Sequence, residues 1–297
     1  MKRKIIIFGG SGFIGLNLIK KLNKNFFSIT SVSRKKPKKA KSLKSVNYIN
    51  CDVSKLNDIK KINTEYDYIV NLSGNIDHKN KKQTFKTHFL GCKNILNLFK
   101  KKKFKIFIQI GSSLEYGNIA SPHNENKKTY PKSFYGKAKL RATNFLLNSN
   151  KRKKIPYIVL RLYQVYGAHQ KLDRLIPYVV KNSLNNKKFD CTNGNQSRDF
   201  LHIDDLTDLL IKILNKKKVK KGIFNVGTGN PLQVKKIINL ITNITKKGKP
   251  LFGKIKMRND EDITYYPNVS KIKKYFKWRP KINIITGIKK TIKHYEN

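Results

Sequence analysis

Phe8-Gly9-Gly10-Ser11-Gly12-Phe13-Ile14-Gly15 decides the reading of this chain. The apolar run Ile5-Ile6-Ile7-Phe8 leads into glycines spaced G-x-x-G-x-x-G, and apolar residues at helical spacing follow (Phe13, Ile14, Leu16, Leu18, Ile19, Leu22). Strand, glycine turn and helix in that order make a cradle for a dinucleotide phosphate. Glycine permits the tight turn and lets the backbone approach a pyrophosphate. The helix N-terminus offers free N–H groups at the positive end of its dipole. A tight turn that binds nothing would show the same glycines, but the flanking patterns favour the cradle.

Outward from that stretch, strand-like runs alternate with helical patterns. Strands are expected over 4–8, 26–32, 46–50, 68–72, 105–110, 157–162 and 222–226, and amphipathic helices over 13–22, 88–101, 135–148 and 205–214. The alternation reads as βαβ units: an α/β chain with a Rossmann-type, doubly wound parallel sheet. After Tyr163 the pattern loosens, and 168–195 and 228–267 look like insertions and a small C-terminal substrate-binding lobe. The expected division is an NADP-binding domain over 1–165 and the lobe over 166–297, with 198–227 returning to the first domain. Ligands are expected at the carboxyl ends of the strands, under that lobe. No internal repeat is evident.

The 297 residues carry 66 Lys+Arg against 17 Asp+Glu, a formal charge of +49, and only nine of the cations are Arg. Two readings compete. One is binding to nucleic acid or an anionic membrane. The other is compositional bias, since Lys, Asn and Ile are frequent throughout and the lysines fall mostly between periodic segments. No zinc-ligand pattern or recognition helix stands out, so bias is preferred and no nucleic-acid partner is expected. Cys51, Cys92 and Cys191 are odd in number and widely spaced. They make neither a disulfide framework nor a metal set, which fits a reducing cytoplasm. The start Met1-Lys2-Arg3-Lys4 imitates a signal peptide, but glycines interrupt the short apolar run that follows. No segment reaches the length of a membrane span.

About twenty residues after the glycines, where an NAD enzyme usually places an acid on the ribose hydroxyls, the chain reads Val32-Ser33-Arg34-Lys35-Lys36. An acid would repel a 2′-phosphate, whereas Arg34 attracts it. NADP is therefore expected, with NAD the alternative. Asp52, after the third strand, is a candidate for the adenine amino group. Further on stands Tyr135-Gly136-Lys137-Ala138-Lys139. On a helix, Tyr135 and Lys139 share one face, and a nearby ammonium stabilises a tyrosinate. Such a tyrosine can exchange a proton with a carbonyl or alcohol oxygen. Upstream, Gly111-Ser112-Ser113-Leu114-Glu115-Tyr116-Gly117 follows a strand and offers a hydroxyl for the same oxygen; an ordinary turn serine is the plainer reading of Ser112.

Together these segments resemble the extended short-chain dehydrogenase/reductase family, in particular its NAD(P)-dependent nucleotide-sugar epimerases, dehydratases and reductases. The likeness covers nearly the whole chain. Gly9–Gly15 matches the family's glycine motif, although Phe8 stands where Thr is usual, and Asn71-Leu72-Ser73-Gly74 resembles its fourth-strand motif. Tyr135 and Lys139 match Tyr-x-x-x-Lys, and Ser112 falls at the catalytic Ser/Thr. Arg161-Leu162-Tyr163-Gln164-Val165-Tyr166-Gly167 resembles Arg-x-Phe-Asn-Val-Tyr-Gly, with Gln164 in place of a substrate-facing Asn. Arg198-Asp199-Phe200-Leu201-His202-Ile203-Asp204-Asp205 and Asn268-Val269-Ser270-Lys271…Trp278-Arg279-Pro280 are further matches.

The resemblance implies a cofactor held by Gly9, Gly12, Phe13, Ile14, Gly15, Arg34, Asp52, Val53, Leu72, Ser73, Gly74, Tyr135 and Lys139. It implies catalysis by Ser112, Tyr135 and Lys139, and a nucleotide-diphospho-sugar substrate held by Ser113, Gln164, Arg198 and Arg258. No metal is implied. Relatives often pair through the helices that here contain Asn94 and Tyr135, so a homodimer is expected. Dehydratases carry an acid two residues after the catalytic hydroxyl; here that place is Leu114, with Glu115 one step further on a different face. The Cys of the GDP-fucose-forming branch is also missing. Reduction of a 4-keto group and 4-epimerisation remain. The Arg34 reading, Gln164 and the segment Asn193–Asp199 favour reduction, as in the CDP-abequose synthase-like 4-ketoreductases that serve surface-polysaccharide sugar synthesis. The alternatives are a 4-epimerase with tightly bound NAD, and a non-catalytic NADP-sensing or nucleic-acid-associated protein.

Overall fold

In a computed structural model of the chain the described residues are 2–35, 43–75, 80–153, 155–257 and 262–296. The first strands are β1 (Arg3–Phe8), β2 (Phe27–Ser33), β3 (Val46–Asn50), β4 (Tyr68–Asn71), β5 (Ile106–Ser112), β6 (Tyr157–Leu162) and β7 (Gln164–Tyr166). They are followed by β8 (Lys188–Asp190), β9 (Ser197–His202), β10 (Gly222–Val226), β11 (Pro231–Gln233), β12 (Lys249–Leu251) and β13 (Thr264–Tyr265). The helices are α1 (Phe13–Lys21), α2 (Leu56–Lys60), α3 (Lys81–Phe85), α4 (Gly91–Phe99), α5 (Phe134–Lys153), α6 (Leu175–Leu184), α7 (Ile203–Asn215), α8 (Val234–Thr245), α9 (Ser270–Phe276) and α10 (Ile284–Glu296).

A seven-stranded sheet in the order β10-β6-β5-β4-β1-β2-β3 forms the frame. β1 pairs in parallel with both β2 and β4, β2 with β3, and β4 with β5. This is the expected doubly wound α/β fold. Its strands read as unbroken apolar runs because helices cover both faces of a parallel sheet; all six residues of β6 are buried. Phe8, irregular against the family's usual Thr, has a plain physical account. It is fully buried, meets Phe99 edge-on at 6.4 Å and belongs to a core with Ile6, Ile69, Cys92 and Phe107.

The chain divides into two compact units. The first comprises Met1–Gly117, Lys127–Arg161 and Leu210–Phe224. The second comprises Asn118–Asn126, Leu162–Leu209 and Asn225–Asn297, with its own core around Ile176, Val180, Ile238, Ile241 and Ile288. Small sheets β11-β9-β13, with β7 beside β9, and β12-β8 belong to it. Two buried carboxylates brace this unit. Asp199 accepts N–H bonds from Thr228 at 2.8 Å and Gly229 at 2.6 Å; Asp205 accepts from Lys281 at 2.9 Å and Ile282 at 3.1 Å. Burial raises the Asp199 pKa although these N–H groups oppose it.

The stretches 168–195 and 228–267 carry α6 and α8, two helices not singled out in the sequence. The buried faces of these helices recur at i, i+3, i+4 and i+7: Ile176, Val179, Val180, Ser183 and Val234, Ile237, Ile238, Ile241. One expectation needs correction: 88–101 is not one helix, since Lys86–Leu90 form a π turn ahead of α4. Replacing Phe8 by the smaller, polar threonine should lower stability by about 3 kcal/mol, because the ring's packing is lost and a hydroxyl is buried. Urea unfolding monitored by circular dichroism measures this; an unchanged midpoint would show that the ring is not needed.

Candidate active site

The sheet order reverses at β1, which has β4 on one side and β2 on the other. At the carboxyl end of β1 the chain turns at Gly9, with φ +81, and a Cβ there would lie 2.7 Å from the Leu72 carbonyl carbon. Only glycine allows this approach. Gly9 N–H bonds Val32 O at 2.7 Å, Gly12 N–H bonds Gly9 O at 3.0 Å, and Ser11 N–H bonds Ser33 Oγ at 3.1 Å. A side chain on Gly15 would lie 2.5 Å from Gly9 O. Helix α1 then starts at Phe13 with no side-chain cap and no acid in its first turn. Its leading N–H groups, set where ligands bind in such sheets, suit an anionic phosphate. These residues therefore fit a dinucleotide.

A buried hydrogen-bond chain crosses the strand ends beside the cradle. The N–H and hydroxyl of Ser73 both donate to Asn71 Oδ1, and Asn71 Nδ2 donates to Gln109 Oε1 at 2.8 Å. Gln109 Nε2 and Lys139 Nζ share the Ile110 carbonyl, at 3.0 and 2.8 Å. Lys139 is thus buried and fixed by β5, with Nζ 5.8 Å from the Tyr135 ring centre. Tyr135 is half-buried in the first turn of α5. Ser112 ends β5; its Oγ accepts the Leu114 N–H at 3.2 Å, which leaves its O–H to donate elsewhere. Ser113 follows it, also buried.

Glu115 is not available as a dehydratase-like acid. It is fully buried, Oε1 accepts the Ser112 N–H at 2.9 Å, and Oε2 accepts Thr143 Oγ1 at 2.8 Å and Arg161 Nε at 2.9 Å. Burial alone would lower the Arg161 pKa, but the Glu115 charge and Tyr116 hold it above its ordinary value. Leu114, at the place of the dehydratase acid, is exposed.

The other residues singled out in the sequence are placed as follows. Arg34 is exposed, one residue past β2. Asp52 Oδ1 accepts from the Ser54 N–H at 2.9 Å and hydroxyl at 2.8 Å. Val53 is buried, and its carbonyl accepts Asn94 Nδ2 at 3.1 Å. Phe13, Ile14 and Leu72 are partly buried, and Gly74 is exposed. Gln164 and Arg198 belong to the second unit, on the paired strands β7 and β9. Arg198 is buried, with Nη1 donating to Ser197 O at 2.8 Å and Ile263 O at 3.3 Å. Arg258 lies outside the described residues. Sequence reasoning missed Gln109, visible only as an amide inside an apolar strand, and His88, whose ring meets Tyr135.

A dinucleotide cradle at the reversal of a parallel sheet, with a tyrosine–lysine pair beside it, defines a class. The match confirms it: residues 5–227 fit the NAD dependent epimerase/dehydratase family, and the chain belongs to that family of NAD-dependent enzymes. The chain is 28% identical to the CDP-abequose synthase of Salmonella muenchen, over 98% of each sequence. It is 25% identical to a putative UDP-glucose 4-epimerase of Methanocaldococcus jannaschii, over 99% of this chain and 98% of the other. The crystal structure of the Thermotoga maritima UDP-glucose 4-epimerase with UDP-glucose superposes with a TM-score of 0.91 at 22% identity, covering 99% and 98% of the two chains. No helix among the described residues is long and apolar enough to cross a membrane.

Arg161→Met leaves the Glu115 carboxylate buried without its cation and should cost about 3–5 kcal/mol. Adding Glu115→Gln should restore part of that loss. Chemical denaturation of the single and double variants tests the pair; equal midpoints for the wild type and Arg161→Met would refute it.

Proposed function

We propose that this enzyme reduces the C4 ketone of a nucleotide-diphospho-4-keto-6-deoxyhexose with NADPH. The arrangement that carries the proposal is the fixed ammonium of Lys139 one helical turn from Tyr135, beside the strand end that presents Ser112. NADPH, held at the glycine turn and the residues after β4, would supply the hydride that C4 accepts. Tyr135 donates its phenolic proton to the oxygen as the ketone becomes an alcohol. Ser112 donates a hydrogen bond to that oxygen, its O–H remaining to donate while Oγ accepts the Leu114 N–H. Lys139 supports the charge developing on the phenol and binds the nicotinamide ribose. Proton delivery of this kind is worth about 10²–10⁴-fold in rate. The roles in substrate binding that the family resemblance implies fall to Ser113, Gln164, Arg198 and Arg258.

NADP is favoured over NAD because β2 ends at Ser33, whose hydroxyl accepts the Ser11 N–H, and the next residue is the exposed cation Arg34. An acid that would hold the ribose hydroxyls and repel a 2′-phosphate is missing there. The CDP-abequose synthase relative supports reduction. The similarity to a putative UDP-glucose 4-epimerase supports a second reading, 4-epimerisation with retained NAD.

A panel of nucleotide 4-keto sugars and of nucleotide sugars with a C4 hydroxyl decides between these readings. Reduction of the ketones gives an NADPH-dependent gain of two hydrogens by mass spectrometry, whereas epimerisation inverts C4 of the hydroxy sugars with no change in mass and no added reductant, which proton NMR detects. Tyr135→Phe should keep NADPH binding and lower kcat by about 10²–10⁴-fold; near-normal turnover would sink the mechanism. Arg34→Asp should weaken NADPH binding by about tenfold to a hundredfold while sparing NADH. Equal losses for both cofactors would argue against a 2′-phosphate contact.

A further inference from the structure

Between α3 and α4 the chain departs from regular helix. Lys86–Leu90 form a π turn in which the Gly91 N–H reaches the Lys86 carbonyl. Such turns are rare and recur at functional sites. Here both Thr87 and His88 lie in the interior, each 4% exposed.

The His88 imidazole touches both parts of the candidate site. Its ring is perpendicular to that of Tyr135, with centres 4.9 Å apart and an interplanar angle of 86°. That is the edge-to-face arrangement aromatic pairs prefer. On the cradle side, Nε2 lies 3.2 Å from the Asn75 amide nitrogen and 3.1 Å from the Asn75 carbonyl oxygen. A bare Nε2 accepts the N–H and a protonated Nε2 donates to the C=O, so the ring keeps a partner in either state. Gly74 is packed against it: a Cβ there would come 2.9 Å from Cε1.

We infer that His88 is a positioning residue, which ties the loop at Gly74–Asn75 to the ring of Tyr135 and holds that ring for proton transfer. The inference rests on the reading of Tyr135 as proton donor. Tyr135 stands in the first turn of α5, where a helix is most prone to fray. Lys139 comes from the same helix and follows its movement, whereas His88 braces the ring from a separate element.

Kinetics and crystal structures of His88→Ala and His88→Phe test this, with Tyr135→Phe alongside. In His88→Ala the Tyr135 ring should leave its position and kcat should fall about 10–100-fold. NAD(P)H affinity and substrate KM should change little, while the cavity left by the buried ring lowers the thermal midpoint in His88→Ala but less in His88→Phe. His88→Phe keeps a perpendicular ring and should recover most of kcat. The inference is overturned if the Tyr135 ring stays in place in His88→Ala, if His88→Phe is no better than alanine, or if the loss appears in cofactor affinity and stability instead of kcat. Should His88→Ala not fold, His88→Leu replaces it, keeping the volume without the planar ring. Normal turnover in Tyr135→Phe would sink the proton-donor reading instead, and the ring position in the His88 variants would still decide whether His88 holds it.

Discussion

One buried carboxylate holds the elements of the candidate site together. Glu115 receives the amide of Ser112 from β5, the hydroxyl of Thr143 from α5 and the guanidinium of Arg161 from β6. Gly111 makes room for it, since a Cβ there would stand 2.6 Å from Oε1. Arg161 also covers the ring of Tyr116 at 4.5 Å. A buried ion pair contributes little net stability, because desolvation offsets most of its attraction. Its value here is geometric. The hydroxyl of Ser112 and the helix bearing Tyr135 and Lys139 are referred to the same anchor, so their separation is not left to loop conformation.

The frame was legible because its signals are local. The run Ile5–Phe8, the glycines after it and the apolar face of α1 are contiguous, and parallel strands buried on both faces leave long apolar runs. Tyr135 and Lys139 could be paired because one helical turn separates them. The bond between Glu115 and Arg161 spans 46 residues, and nothing near either residue announces it. The chain from Ser73 through Asn71 and Gln109 to Lys139 is equally hidden, since it joins residues from three elements. The π turn escaped because one extra residue in a turn barely disturbs helical periodicity. Helices α6 and α8 were passed over although their buried positions are regular. Lysines and asparagines interrupt them, at Lys181, Asn182, Lys235, Lys236, Asn239 and Asn243, and make these helices look like the surrounding loops.

The second unit is organised by its own buried acids. Asp199 gathers the backbone at Thr228 and Gly229, and Asp205 gathers that at Lys281 and Ile282. Both lie in the segment Arg198–Asp205, which thereby fixes two turns far apart in sequence. The motif in that segment reads as a structural bracket, to which Asp204 adds an ion pair with Lys290.

Drawing these acids inward has a consequence for the outside of the molecule. The chain has 17 acidic residues, and Glu115, Asp199 and Asp205 among them are almost wholly withdrawn from solvent. Lys139, Arg161 and Arg198 are withdrawn with them, so the exterior keeps the formal excess of +49 with fewer acids among its lysines. The folded protein gathers mutually repelling ammonium groups around a core that cannot neutralise them, and small anions from the medium must do so. Screening by the ionic atmosphere therefore weakens the repulsion among these groups, and polyvalent anions raise the ionic strength more than monovalent ones do.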